Sequence, residues 1–215
     1  MSLSYNDNVN IRRIMNQFKN IFAKINLLLV PVLLITGCAP GLGTTFEVTY
    51  IPDLQIESSD LITLQKLEGL PFRVATFTDD RSLQNSVQID GRKVEVKGTL
   101  GLLAQDAVRE VLKLSKTENC IKDCITISGS IKEWSMKVTP DFPASTAKAN
   151  VQLEVQFTFS DGYSIAGLPL KLTGKSSGSS NKQHPLMDES DMTNVFGEAL
   201  NEAVIGSMLQ LAKQM

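Results

Sequence analysis

Between positions 151 and 159 the side chains alternate without a break. Val151, Leu153, Val155, Phe157 and Phe159 are apolar, while Gln152, Glu154, Gln156 and Thr158 are polar. Successive side chains of a strand point to opposite faces, so this spacing predicts a strand with one dry and one wet face. A second long strand is predicted upstream. Ile125, Ile127, Gly129 and Ile131 share one parity, Trp134, Met136 and Val138 share the other, and the change of phase near Lys132-Glu133 predicts a bulge. Shorter strands are predicted over 46–51, stopped by Pro52-Asp53, and over 72–77, ending in Thr78-Asp79-Asp80-Arg81. Val87 and Ile89, then Val94 and Val96, alternate around Asp90-Gly91-Arg92-Lys93 and read as a hairpin.

Two segments switch to a helical period. Leu100, Leu103, Ala104, Ala107, Val108, Val111 and Leu112 recur at three- and four-residue steps, with Thr99 placed to cap the start. Met192, Val195, Phe196, Ala199, Leu200, Ala203, Val204, Met208 and Leu211 describe a longer helix, for which Ser190 or Asp191 is the predicted cap. Asp161-Gly162 predicts a turn into a returning strand over 163–173, which Pro169 makes an edge or a broken strand. Residues 174–187 read as a polar Gly/Ser loop, and 53–70 have no clean period. The expected fold is α+β: a mostly antiparallel sheet with two amphipathic helices packed on one face.

The N-terminus follows neither pattern. Arg12, Arg13, Lys19 and Lys24 precede the apolar run 27–35, which stops at Thr36-Gly37-Cys38. A basic region, a short apolar core and a small-residue site read as a secretory signal. The run is about half the roughly 20 residues needed to cross a bilayer as a helix. Leu34-Ile35-Thr36-Gly37-Cys38 resembles the bacterial lipobox. The resemblance implies that Cys38 is acylated, for example with palmitate, and becomes the first residue of the mature chain. The expected organisation is a signal peptide over 1–37, with Met15 a possible true start, a lipidated tether over 38–45, and a single α+β domain over 46–215. Residues 39–45 reach at most about 25 Å when extended. By resemblance to enteric lipoproteins, Ala39 in place of Asp implies sorting to the outer membrane, with the body facing the periplasm.

Charge narrows the partners. The 215 residues carry a net charge of -2, and beyond residue 37 there are 17 basic and 22 acidic residues. That balance argues against a nucleic-acid binder of the basic-patch type and disfavours charge-driven binding to anionic lipid. The partners expected are the membrane, through the lipid anchor, and an envelope protein of unidentified kind, with no nucleic acid.

The candidate chemistry is thin. Gly174-Lys175-Ser176-Ser177-Gly178 has the Gly-x-Ser-x-Gly spacing of a nucleophile elbow, but the only His, His184, follows with no acid between, so the order Ser-acid-His is impossible. A phosphate-loop reading of Gly174-Lys175-Ser176 fails because Pro169 stands where a Gly is required. With Cys38 acylated, Cys120 and Cys124 are the two thiols left in an oxidising compartment; a disulfide is the first reading and free structural thiols the second. Asp79, Asp80 and Arg81 read as a hydrogen-bonded turn with a surface ion pair before a catalytic acid pair, and Trp134 as a core residue before a binding anchor. No catalytic residue, no metal ligand and no cofactor is expected, and the sequence identifies no ligand-binding residue.

The order of these features resembles the YajG-type lipoproteins. The resemblance is carried by the lipobox Cys38, the strand 73–81 with its Asp79-Asp80-Arg81 ending, the strand Ile127-Ser128-Gly129-Ser130-Ile131-Lys132-Glu133-Trp134, the Asp161-Gly162 turn and the terminal helix. It implies anchoring and a fold rather than a chemistry, since that family has no settled activity. Two function classes follow. One is a non-catalytic envelope lipoprotein that binds a partner as an assembly or auxiliary protein; the other is a lipid or apolar-ligand carrier subunit of an envelope transport system. An apolar surface patch favours the first, and a large pocket between sheet and helices favours the second.

Overall fold

Alternating apolar runs of the length found around 125–138 and 151–159 can pair with each other along their whole extent, and they set the frame of the molecule. A computed structural model of the chain describes residues 45–48, 54, 56–82, 86–89, 92–116, 118–120, 123–140, 143–160, 165, 167–185 and 187–215. All of them fall in one compact unit, Leu42–Met215. In chain order the elements are β1 (Thr45–Glu47), α1 (Ser58–Leu64, continued by a 3-10 turn at Gln65–Leu67), β2 (Pro71–Asp79), β3 (Ser86–Ile89) and β4 (Arg92–Lys97). There follow α2 (Leu100–Leu114), β5 (Glu118–Asn119), β6 (Ile125–Thr139), β7 (Ser145–Phe159), β8 (Lys171–His184) and α3 (Glu189–Gln214).

β6, β7 and β8 form an antiparallel meander in which Ile127 faces Phe157 and Phe157 faces Leu172. On its other side β6 serves two partners in succession. Its first half pairs in parallel with β2, and Ser135 and Met136 pair in parallel with β3. The sheet therefore forks along β6: β5 extends the β2 wing, while β4 and then β1 extend the β3 wing. The bulge sits at the fork, where the register jumps from Ile131–Leu153 to Glu133–Gln152. An extra residue there bends the strand and increases its twist, which lets the two wings diverge.

The architecture is α+β, and pairing in the long strands is antiparallel. Odd-numbered positions of β7 from Ala147 to Phe159 and the matching positions of β6, Ile125 to Ile131 and then Trp134 and Met136, are buried on one face. α2 and α3 cover that face, with α2 against β2 and α3 against β7 and β8. α1, in the stretch with no clean period, packs on α3, and its Leu64 and the following Leu67 are fully buried.

Three expectations are corrected. The stretch 174–184 is strand rather than loop; this strand begins at Lys171, residues 167–170 before it are not strand, and the expected Asp161-Gly162 turn lies outside the described residues. The α3 cap is Asp188: its carboxylate accepts from the Asp191 N–H at 2.8 Å, and Asp191 completes a capping box from the first turn. Thr99 is the N-cap residue of α2, but its side chain makes no capping bond; its carbonyl accepts from the N–H groups of Leu102 and Leu103. β1 begins at Thr45, and residues 49–53 lie outside the described ones.

β8 is an edge strand, and α3 seals much of that edge. Gln210 accepts from the Lys175 N–H at 2.9 Å, Glu202 accepts from the Ser179 N–H at 2.7 Å, and Gln214 donates to the Thr173 carbonyl at 3.1 Å. These side chains, with Glu198 accepting from the Ser180 hydroxyl, fall at four-residue multiples, a row that winds slowly round the helix along the strand. Backbone groups that would otherwise template another strand are thereby occupied.

Candidate functional site

The residues with the most chemical promise in the sequence meet at the fork. Arg81 grips Asp79 with two hydrogen bonds, Nε to Oδ1 at 2.7 Å and Nη2 to Oδ2 at 2.6 Å, with the two side chains only 8% and 11% exposed. Its Nη1 donates to the Trp134 carbonyl at 3.3 Å. The Asp80 N–H donates to the Ile131 carbonyl at 3.2 Å, so the chain leaving β2 stays tied to β6 on both sides of the bulge. Lys132, the bulged residue, donates to Asp80 at 2.6 Å. That bond, with a second from the Thr78 hydroxyl, holds the Asp80 carboxyl below the usual carboxylate range, and the Lys132 ammonium is pushed up by the same pairing. Asp80 and Lys132 are solvated, so their pairing contributes little to stability. Asp79-Asp80-Arg81 is thus a hydrogen-bonded ion-pair turn, as the sequence suggested, with its Asp79–Arg81 half buried rather than on the surface. Trp134 is buried and packs on Phe196, the ring centroids 5.6 Å apart.

Gly174-Lys175-Ser176-Ser177-Gly178 lies in the middle of β8, with no helix after the serine. Gly174, Ser176 and Gly178 share the face toward α3, and the motif works as packing. A Cβ at Gly178 would lie 2.0 Å from the Ala199 carbonyl oxygen, and one at Gly174 would lie 2.3 Å from that of Ser207. From the helix side, a Cβ at Gly206 would meet Ser176 Oγ at 2.1 Å. Ser176 therefore sits close under the helix at Gly206.

His184, at the end of β8, faces Asp191 at 3.2 Å, beside Lys182 at 3.1 Å. Burial pushes the Asp191 carboxyl up, yet the bond from Lys182, the Asp188 backbone N–H and the neighbouring His184 together hold it below its ordinary 3.8. A carboxylate whose folded value is depressed stabilises the fold above its unfolded value and loses that contribution as pH falls through the folded one. Asp191→Asn should therefore cost about 1 kcal/mol near neutrality, a typical capping loss. The deficit should shrink as the pH drops below 3.8. Urea melts of both proteins across an acid pH series check this; a deficit that stays constant counts against it.

Cys120 and Cys124 are at disulfide distance, with Cα atoms 5.8 Å apart, between β5 and β6. Cys38 lies outside the described residues. Grooves open at the margins of the fold. One of about 540 Å³ runs between α1, β8 and α3 and is acidic, lined by Glu57, Asp60, Glu198 and Glu202. One of about 300 Å³ lies beside Arg73 and Arg109, and one of about 380 Å³ beside Lys132, Glu154 and Lys175. Among the described residues no group of three or more His, Cys, Asp or Glu could hold a metal ion, and no helix is long and apolar enough to cross a membrane.

No family model matches the chain, and no curated protein matches it. Among solved structures the chain is similar to a protein from Xanthomonas campestris placed in the family DUF330. The two are 13% identical, the match covers 79% of this chain and 96% of that one, and the TM-score is 0.47.

The residues that position this architecture were only partly visible beforehand. Glu202, Gln210 and Gln214 carried a signal in their four-residue spacing, but that signal has meaning only once an unpaired strand edge is known to lie beside the helix.

Proposed function

We propose that this protein is a non-catalytic envelope lipoprotein of the YajG type, anchored through acylated Cys38 in the outer membrane, whose periplasm-facing body binds a protein partner in an assembly or auxiliary role. One observation favours this reading over the carrier: α3 lies with its backbone directly on β7 and β8, so the layer in which an apolar ligand would sit is filled by the protein itself. The described grooves are marginal and lined with charges. Asp79 and Arg81 are engaged with each other, and Ser176 is packed under the helix, which supports a role without catalysis. Exposed apolar side chains are present on the helix layer, with Leu61 and Ile62 adjoining on α1 and Leu102 and Leu114 on α2. They supply contact area for a partner.

Replacing Cys38 by Ala is expected to abolish fatty-acid labelling and to leave the chain uncleaved or soluble; continued labelling refutes the anchor. Photo-crosslinking from position 62 in cells is expected to trap a discrete envelope protein. A lipid that co-purifies in stoichiometric amount with the native protein would instead favour the carrier.

A further inference from the structure

The net charge conceals a segregation that the fold creates. The face of the sheet away from the helices is open and polar, and it carries six cations that form no ion pair among the described residues: Arg73, Lys93, Lys97, Lys137, Lys148 and Lys171. Lys132 and Lys175 lie on it too, paired with Asp80 and Glu154. Among the side chains described, the other carboxylates on that face are Glu47, Glu95 and Glu133. The helix layer has the opposite character, with a groove of about 540 Å³ whose lining includes four carboxylates. Lys137 and Lys148 stand directly opposite each other on β6 and β7. Like charges in that position repel and destabilise a sheet, and nothing in the described residues neutralises them. An external anion would.

The tether says which anion is within reach. Only six residues separate Cys38 from Thr45, about 20 Å fully extended. β1 is an edge strand lying in the plane of the sheet, so that length is enough to bring the sheet face flat against the surface in which the acyl chains sit. We infer that the open face of the sheet, centred on Lys137 and Lys148, seats on anionic phospholipid headgroups beside the anchor and turns the helix layer and its acidic groove toward the periplasm. The seating rests on anchoring through Cys38. It is electrostatic, since the face presents lysines and, among the described residues, no aromatic anchor, so it weakens with salt. An acidic protein is the rival occupant, and the test separates the two.

The acylated full-length protein, reconstituted in phosphatidylcholine vesicles with or without phosphatidylglycerol, is labelled briefly with an amine reagent and read by mass spectrometry. Lys137, Lys148 and Lys93 should label about threefold or more slowly when phosphatidylglycerol is present. Lys66 and Lys213, on the helix layer, should label equally in both. Salt near 1 M, where the Debye length is about 3 Å, should erase the difference. The double variant Lys137→Glu/Lys148→Glu should erase it too while still floating with the vesicles. Equal labelling of the wild type in both vesicle types overturns the proposal, as does protection of the helix-layer lysines. Protection in whole envelopes but not in lipid vesicles overturns it in favour of an acidic protein. Failure of the wild type to float with neutral vesicles would overturn the anchor, and the seating with it.

Discussion

Replacing Arg81 by Met should lower the stability of the folded body by about 3–5 kcal/mol, the usual cost of leaving one partner of a buried ion pair behind. The guanidinium supplies two hydrogen bonds to Asp79 and one to the Trp134 carbonyl, in a place where the carboxylate is 11% exposed. Without it, the Asp79 carboxylate loses the two hydrogen bonds of the guanidinium in a place largely shut off from water. Lys at this position should recover little, because an ammonium cannot reproduce the planar two-pronged grip while also reaching the Trp134 carbonyl. The double variant Asp79→Ala/Arg81→Met should be more stable than Arg81→Met alone, since it also removes the largely buried carboxylate that has lost its guanidinium. Chemical denaturation of the three variants checks the set. A loss under about 1 kcal/mol for Arg81→Met would mean that the fork does not depend on this pair.

Much of this fold was legible because β6, β7 and α2 each bury one face and show the other to water. Their periods of two and of three to four are written directly in Ile125–Val138, Val151–Phe159 and Leu100–Leu112, and even the bulge at Lys132 appeared as a change of parity. The fork at that bulge was not legible, because pairing partners are set by distant segments, and a phase shift says only that a strand bends. β8 was misread for a physical reason. After Leu172 its inward positions include Gly174, Ser176 and Gly178, which carry no apolar signal because the helix backbone occupies the space that larger side chains would fill. A strand under a closely laid helix therefore has the composition of a loop. The same rule explains the false nucleophile elbow, whose two glycines are spaced for packing.

The second large effect follows from that contact. Gly178→Ala should destabilise the body by about 1–3 kcal/mol or more, the range for overpacking a close-fitting core. The added methyl would lie 2.0 Å from the Ala199 carbonyl oxygen and 2.5 Å from the Ala203 nitrogen. These are backbone atoms of α3, so no side chain can rotate aside; either the helix lifts off β8 or the strand edge tilts away. Lifting the helix would also strain the bonds by which Glu202 and Gln210 seal the edge, so the variant should show more self-association as well as a lower melting temperature. Gly197→Ala provides the control. It makes the same chemical change within α3, where a Cβ would meet no atom within 4 Å, and there the gain in helix propensity should raise stability by up to about 1 kcal/mol. Thermal and urea unfolding of the two variants should therefore move in opposite directions from the parent. If Gly178→Ala were neutral, the backbone contact between α3 and β8 would be looser than described, and the space between them would again be open to a ligand.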